Sequence, residues 1–301
     1  MYKKYVDSLR INPGNINTIE TIPFLPISFF KTHEITTTTF EPEIIFESSG
    51  TTGQNTSRHL VKKISLYRKS FSKAFNLFYG NPKDWCILGL LPGYLERNNS
   101  SLVSMVHSLI GKSENNNSGF YLNNHERLYQ TIVHNEIIEQ PTLLIGVTFS
   151  LLDFAEKYSM KLQNTVVMET GGMKGRREEI TREEVHQFLQ NKLGVHAVHS
   201  EYGMTELLSQ AYSKQEGLFH NPPWMKVLVR EYNDPFAIIS NTVANTPANG
   251  LLNIIDLANL YSCSFIATDD VGKVYKNGAF EVLGRRDVSD LRGCSLLTAG
   301  N

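Results

Sequence analysis

Cysteine is scarce in this sequence of 301 residues, which contains only Cys86, Cys263 and Cys294. An odd number of cysteines without paired spacing argues against a disulfide framework and against a zinc site. Cys86 and Cys263 lie in the apolar runs WCILGLL and LYSCSFIAT, so we expect both thiols to be buried. Cys294 lies in RGCSLLTAGN, near the C-terminus, which is an unusual place for a core cysteine.

The sequence also lacks an excess of charge and a long hydrophobic run. Its formal net charge is −1, which gives no indication of a nucleic-acid or anionic-membrane partner. The longest apolar stretch, around WCILGLLPGYL, is too short and too interrupted by glycine and proline to span a bilayer. The N-terminus has no apolar segment typical of a signal peptide. We therefore expect a cytoplasmic protein without a membrane span, with one or two domains.

Three common catalytic and nucleotide-binding motifs are missing. The sequence has no Walker A loop, no G-x-G-x-x-G fingerprint and no G-x-S-x-G elbow. Instead, FESSGTTGQNTSRH (residues 46–59) follows the strand-like run EIIF and precedes the helical pattern SLYRKSFSKAFNLFYG. Its hydroxyl groups and glycine-exposed backbone N–H groups suit a polyphosphate, helped by the N-terminus of the following helix. A flexible polar turn is an equally good interpretation of this segment alone.

Strand and helix patterns alternate from about residue 43 to residue 193, and a capping box at Thr181 and Glu184 begins the last helix. This alternation predicts βαβ units and a largely parallel sheet, with ligands at the carboxyl ends of the strands. After Pro222 the pattern changes to short β-like runs separated by Asn, Asp, Gly and Pro. We therefore predict an α/β core over residues 1–221, a β-rich, barrel-like subdomain over 222–293, and a tail over 294–301.

Four segments, in order along the chain, resemble the signatures of adenylate-forming enzymes, the acyl- and aryl-CoA ligase superfamily. They are ESSGTTG in the loop above, HSEYGMTE at 199–206, IATDDVGKV at 266–274 and VLGRRDVSDLRG at 282–293. The flanking segments IPFLPISFFK, LPGYLERNNSSLVSMV and LLNIIDLANLYSCSFIATDD are similar to the LuxE-type acyl-protein synthetases within that superfamily. This resemblance covers nearly the whole chain. It implies the fold of an adenylate-forming N-terminal domain and the activation of a carboxylic acid, most simply a fatty acid, by ATP and Mg²⁺.

The resemblance also implies roles for individual residues. The β- and γ-phosphates of ATP would be held by Ser48, Ser49, Gly50, Thr51, Thr52 and Gly53. Thr205 would contact the α-phosphate, and Glu206 would hold Mg²⁺. The nucleoside would be bound by Tyr202 and Gly203 next to the adenine, and by Asp270 and Arg285 at the ribose. Gly171 and Gly172, in TGGMKGRREE, lie where the superfamily contacts adenine; a solvated basic loop is the alternative. Many members have a lysine after the phosphate loop, where this chain offers Arg58.

The acyl acceptor is predicted from the C-terminal segment. Adenylate-forming enzymes usually continue into a mobile lid domain beyond the G-R-x-D hinge. Since this sequence ends at Asn301, we expect that lid to be absent and a partner to complete the site or to accept the acyl group. Cys294 matches the cysteine that carries the acyl group in the resembled synthetases, and Arg286 or Arg292 would lower its pKa. An inert terminal cysteine is the alternative.

Three functions follow from these observations. The first is an ATP-dependent acyl-protein synthetase that passes its acyl group to a reductase or acyltransferase partner. The second is an acyl- or aryl-CoA ligase, which the expected lack of a lid disfavours. The third is a non-catalytic nucleotide- or acyl-binding subunit, which the intact Thr205–Glu206 pair disfavours.

Overall fold

The computed structural model describes residues 1–49, 56–91, 99–122, 124–172, 181–239 and 246–286. Within these ranges most strands belong to one large mixed sheet, with a separate two-stranded sheet beside it. In the part of the chain that is described, no helix is both long and apolar enough to cross a membrane.

The first half of the chain has the predicted alternation of strands and helices. Its strands are β4 (Cys86–Leu90), β5 (Gly119–Phe120), β6 (Thr142–Gly146), β7 (Thr165–Glu169) and β8 (Val198–Tyr202). The helices around them are α3 (Ile64–Tyr79), α4 (Ser101–Ser113), α5 (His125–Ile137), α6 (Thr148–Lys157) and α7 (Arg182–Leu193). These strands pair in parallel, in the order β5-β4-β6-β7-β8. The predicted α/β class and the capping box at the start of α7 are therefore confirmed.

The second half of the chain extends the same sheet with antiparallel strands. They are β9 (Ala211–Ser213), β10 (Phe219–His220), β11 (Met225–Arg230), β12 (Ala248–Asp256), β13 (Phe265–Val274) and β14 (Phe280–Arg285). The order from β8 is β9-β10-β14-β13-β12-β11. At the N-terminus α1 (Tyr2–Ser8) and α2 (Phe29–Thr32) flank β1 (Leu25–Pro26), which pairs in parallel with β13. The boundary at residue 222 stays a prediction.

Side chains of the parallel strands alternate between two layers of helices. Ile87 of β4 packs with Phe71 and Phe75 of α3, on one face of the sheet. The neighbouring residues Cys86 and Leu88 pack in a second cluster, against helices on the other face. This two-residue period is what a strand buried on both faces requires. The Cys86 and Cys263 thiols are buried, as expected.

The surroundings of the polar loop differ from the prediction. The loop joins β2 (Ile44–Glu47) to β3 (Arg58–Val61), which pair antiparallel, so a strand and not a helix follows it. Helix α3 begins only at Ile64, whose N–H donates to the Glu43 carboxylate at 2.7 Å. The predicted help from a helix N-terminus is therefore wrong, because β3 intervenes and Glu43 already occupies that terminus. A four-residue strand is too short to produce a clear periodic signal in the sequence.

Candidate active site

Tyr202 ends the central strand β8 and connects two of the predicted signature segments. Its ring packs edge-on against Phe219 and Phe280 in the antiparallel half of the sheet. Its hydroxyl donates to Asp270 Oδ2 at 2.7 Å. Burial and the Asp270 carboxylate raise the pKa of the Tyr202 phenol, so it stays a hydrogen-bond donor. The predicted packing of adenine on this ring remains a prediction.

Asp270 also binds Arg285 on the neighbouring strand. The two residues are directly opposite each other in the β13–β14 pair, and Arg285 Nε lies 3.1 Å from Asp270 Oδ1. Asp270 is buried, whereas 65% of the Arg285 side chain is exposed. The Asp270 charge raises the pKa of Arg285 further, so the guanidinium is fully charged. A carboxylate has about four acceptor positions, so two bonds leave room for further hydroxyl donors.

Thr205 is held in place by His59, a residue to which the sequence analysis gave no role. His59 Nδ1 lies 2.8 Å from the Thr205 carbonyl oxygen, and His59 Nε2 lies 2.9 Å from Ser262 Oγ. Burial lowers the pKa of His59 to about 4, so the imidazole is neutral. Because a carbonyl can only accept, Nδ1 carries the proton and Ser262 donates to Nε2. His59 thus ties the hairpin of the polar loop to the segment YGMTE.

Glu206 is a buried carboxylate beside this network, and only 6% of the residue is exposed. Burial raises the pKa of Glu206, while the Ser57 hydroxyl and the charge of Arg285 oppose that change. Its backbone oxygen accepts a hydrogen bond of 2.8 Å from Asn259 Nδ2. Burial disfavours the ionised form of the Glu206 carboxyl group, and a cation bound nearby would offset this cost.

Asp256 holds the chain that follows Glu206, and the sequence analysis missed it. Its buried carboxylate accepts hydrogen bonds from the backbone N–H groups of Leu208, Ser209 and Ala258, and from the Ser209 hydroxyl. The sequence feature that could have indicated Asp256 is its position at the end of the apolar run LLNIID. The segment after the YGMTE motif is consequently fixed by buried polar contacts and not by a regular strand or helix.

The base of the polar loop is described, but its tip is not. Ser48 Oγ accepts from the Ser57 backbone N–H at 2.9 Å, which closes the two ends of the loop. Ser49 is the last described residue on the N-terminal side of the loop. The predicted phosphate-binding residues Gly50, Thr51, Thr52 and Gly53 lie outside the described residues. Arg58 Nε lies 3.9 Å from Glu47 Oε1, in a half-exposed ion pair.

Gly171 and Gly172 follow β7, the parallel neighbour of β8. Both have positive φ angles, +74° and +94°, a conformation that favours glycine. The Gly171 N–H donates to the buried carboxylate of Glu169 at 2.6 Å. Burial acts to raise the pKa of Glu169, but hydrogen bonds and the nearby Arg182 lower it to about 2. The remainder of TGGMKGRREE from Met173 onward lies outside the described residues.

A cavity of about 160 Å³ joins several of these segments. Its walls come from the end of β2, the start of α4, the end of β7, and β8 with the chain after it. The predicted site residues Ser49, Gly203 and Thr205 line it. A larger cavity of about 670 Å³ lies between α7, β8 and β14, and no predicted site residue lines its described walls.

The structure therefore brings the described candidate residues together in two adjoining groups. Tyr202, Asp270 and Arg285 form one hydrogen-bonded chain, and the charges of Asp270 and Arg285 act on Glu206. Ser49, Gly203 and Thr205 border the 160 Å³ cavity. Cys294 lies outside the described residues, so its distance from either group stays a prediction.

Comparisons with known proteins identify the family of this chain. The sequence model of the family "Acyl-protein synthetase, LuxE" matches residues 1–300. A long-chain-fatty-acid–luciferin-component ligase of Aliivibrio fischeri is 22% identical over 99% of this chain and 83% of that protein.

Solved structures show the fold. ATP-bound MatB from Rhodopseudomonas palustris matches 82% of this chain with a TM-score of 0.57 and 16% identity. The O-succinylbenzoate coenzyme A synthetase of Bacillus subtilis, in complex with ATP and magnesium ion, matches 80% with a TM-score of 0.54 and 17% identity. This chain spans about half the length of these two proteins, 49% and 50%. The predicted fold of an adenylate-forming domain is confirmed. With a family match over residues 1–300, this chain belongs to the LuxE family of acyl-protein synthetases.

Proposed function

We propose that this protein activates a carboxylic acid with ATP, forming an acyl-adenylate, and transfers the acyl group to a thiol, its own Cys294. The observation that carries the proposal is that the described signature residues come together around the carboxyl end of β8. Tyr202, Asp270, Arg285 and Glu206 interact there, and Ser49 and Thr205 border the adjoining cavity. Ligand sites in open α/β sheets lie at such carboxyl ends of strands.

In this proposal ATP lies across the ends of β7 and β8 and the middle of β13. Asp270, already aligned by Tyr202 and Arg285, accepts hydrogen bonds from the ribose hydroxyls. Gly171 and Gly172 leave the backbone accessible to adenine, because neither has a side chain. Gly203 follows Tyr202 beside the adenine, Thr205 lies next to the α-phosphate, and the loop from Ser48 to Gly53 holds the β- and γ-phosphates. In this scheme residues 222–293 complete the nucleotide site of the core.

The donor set around Glu206 fits Mg²⁺. The described residues contain no group of three or more histidine, cysteine, aspartate and glutamate side chains that could hold a metal ion. Magnesium rarely needs such a group, since it takes one or two carboxylates and completes its shell with phosphate oxygens and water. Burial raises the pKa of Glu206, so a neighbouring dication would favour its ionised form. The ion would neutralise charge on the phosphates during the reaction.

The chemistry has two steps. A carboxylate oxygen attacks the α-phosphorus of ATP, a new P–O bond forms, and pyrophosphate leaves with the electrons of the broken bond. The Cys294 thiolate, having lost its proton to solvent, then attacks the acyl carbon. A C–S bond forms and AMP leaves as the C–O bond breaks, so the product is a thioester. A partner reductase or acyltransferase would consume that thioester.

Acid-dependent exchange of labelled pyrophosphate into ATP tests the first step. We expect exchange only when a suitable acid and Mg²⁺ are present, and a loss of more than about 100-fold for Glu206→Gln. Exchange in the wild type with no dependence on acid would contradict the proposal. ATP binding without exchange, for any acid, would support the non-catalytic subunit instead. Acyl transfer to coenzyme A in solution, with Cys294→Ser fully active, would support the coenzyme A ligase.

A further inference from the structure

Two buried polar side chains, Glu201 and Gln210, form one wall of the 160 Å³ cavity, and neither takes part in the signature contacts above. Glu201 is on β8, where alternate residues face opposite sides of the sheet. Its neighbour Tyr202 faces the antiparallel half, whereas His199, two residues earlier, contacts Tyr79 of α3. Glu201 therefore faces the α3 side, where the cavity lies. Only 9% of Glu201 and 3% of Gln210 are exposed.

Gly203 allows both side chains to reach this wall. A Cβ atom placed on Gly203 would lie 2.4 Å from Glu201 Oε1 and 3.4 Å from Gln210 Cγ. The carboxyl group therefore lies directly over the glycine of the YGMTE segment. Any larger residue there would have to displace the Glu201 carboxyl group from its position.

Within the described ranges, neither side chain has a partner for its key polar atoms. No described residue forms a hydrogen bond with the Glu201 carboxyl group, whose pKa is set by burial and the Glu169 charge alone, and Gln210 Oε1 is buried without a described partner. Native proteins leave few buried polar atoms unpaired, and such an atom in a cavity is commonly satisfied by a ligand or by water. Among the described residues, the pair is therefore a polar surface without a hydrogen-bond partner inside the cavity.

The protonation state of Glu201 determines what this surface can bind. Burial, together with the negative charge of Glu169, raises the pKa of Glu201 to about 8. At neutral pH the group is mainly an uncharged carboxylic acid, which can donate one hydrogen bond. Gln210 Oε1 can only accept. A hydroxyl group both donates and accepts, so it can satisfy the two side chains at once.

The size of the cavity limits the distance between that hydroxyl and the reacting carboxylate. An engineered protein cavity of roughly 150 Å³ holds benzene, a molecule of about six heavy atoms. The cavity here is of similar size, about 160 Å³, and Ser49 and Thr205 border it as well as Glu201 and Gln210. On the proposed function, the carboxylate reacts at the Thr205 end. The polar wall then lies within about six heavy atoms of the reacting carbon.

We propose that the activated acid carries a hydroxyl group a few bonds from its carboxylate, and that Glu201 and Gln210 bind this hydroxyl. The inference rests on the proposed function and names its substrate class. A site that binds a substrate hydroxyl discriminates strongly against the analogue without it, because its own polar atoms then stay unpaired.

The test uses pairs of acids of equal length: butanoate and 3-hydroxybutanoate, and hexanoate and 3-hydroxyhexanoate. We expect kcat/KM for pyrophosphate exchange to be at least tenfold higher for each hydroxy acid. Glu201→Met and Gln210→Met should reduce or reverse that preference, while Glu201→Gln keeps most of it. Glu231→Met, at an exposed position that does not line the cavity, is the matched control and should leave the preference unchanged.

Calorimetric binding of 3-hydroxyhexanoate to the wild type and Glu201→Met separates the two proposals. A tenfold weaker binding in the variant supports the hydroxyl site even if no exchange occurs, and equal binding overturns it. Equal exchange rates for the hydroxylated and unsubstituted acids overturn the hydroxyl site but leave acid activation standing. Preference for 3-aminobutanoate, abolished in Glu201→Gln, would overturn the assignment in favour of a site for an ammonium group.

Discussion

The substitution Glu201→Gln is predicted to stabilise the protein at alkaline pH. Glu201 is 9% exposed, and no described residue forms a hydrogen bond or ion pair with its carboxyl group. Glutamine has nearly the same shape as the protonated carboxyl group but cannot ionise. The variant therefore keeps the buried polar group and removes only the cost of burying a charge.

The magnitude follows from the pKa of Glu201, which burial raises from 4.5 to about 8. Between these values the unfolded chain releases a proton that the folded protein keeps, so the wild type loses stability as the pH rises. One such proton changes the free energy of unfolding by about 1.4 kcal/mol per pH unit. From pH 5 to pH 8 we expect Glu201→Gln to gain about 3 kcal/mol relative to the wild type.

Urea unfolding, followed by the fluorescence of Trp85 and Trp224, measures this difference at pH 5, 6, 7 and 8. Other titrating groups contribute equally to both proteins, so they cancel in the difference. Glu231→Gln, at an exposed position, is the control and should show no pH-dependent difference from the wild type. If the difference between Glu201→Gln and the wild type is constant over this range, the argument for a neutral buried carboxyl group is wrong.

Three further predictions concern the candidate site. His59→Leu removes two buried hydrogen bonds and should cost about 3 kcal/mol in urea unfolding at pH 7.5. The cost should shrink towards pH 5, because burial lowers the pKa of His59 to about 4 and the wild type loses this stabilisation below pH 6.5. Asp270→Asn should raise the KM for ATP in pyrophosphate exchange at least tenfold, by weakening the ribose site. Gly203→Ala should alter stability by less than about 1 kcal/mol yet reduce exchange, since the flexible Glu201 carboxyl group must move.

Each of these predictions has a result that contradicts it. If the free energy of unfolding of His59→Leu falls as steeply as that of the wild type between pH 6.5 and pH 5, His59 is not a buried neutral group. Asp269→Asn, which changes the adjacent aspartate, is the control for Asp270→Asn, and an equal KM effect would argue against a specific ribose contact. Normal exchange in Gly203→Ala would show that the position of Glu201 does not matter for the acid.

The parallel half of the fold could be predicted because its signal is periodic. Each of its helices has an apolar stripe, and every strand except the two-residue β5 is a largely buried run. These patterns repeat through most of the first half of the chain. The hairpin strand β3 has only four residues and follows a polar loop, so its pairing with β2 became visible only in three dimensions. The ten-residue strand β13 likewise belongs to a region in which the sequence indicated only short β-like runs, because polar residues interrupt its apolar pattern.

Residues of the site could be predicted only where they lie within one of the signature segments. Tyr202, Asp270 and Arg285 come from three separate segments, and no sequence spacing indicates that they form one hydrogen-bonded chain. The positioning residue His59 and the buried Asp256 depend on contacts about 150 and 50 positions away along the chain. Such long-range polar contacts leave no local pattern, so the sequence analysis could not find them.

The central claim is that this protein carries an acyl group on Cys294 after activating an acid with ATP. The most direct measurement is the intact mass of the protein after incubation with ATP, Mg²⁺ and a panel of carboxylic acids, beside Cys294→Ser. The account predicts an increment equal to one acyl group in the wild type, removed by hydroxylamine and missing in the variant. A wild type that releases pyrophosphate with an acid but gains no mass, or a Cys294→Ser variant that gains the same increment, would contradict it.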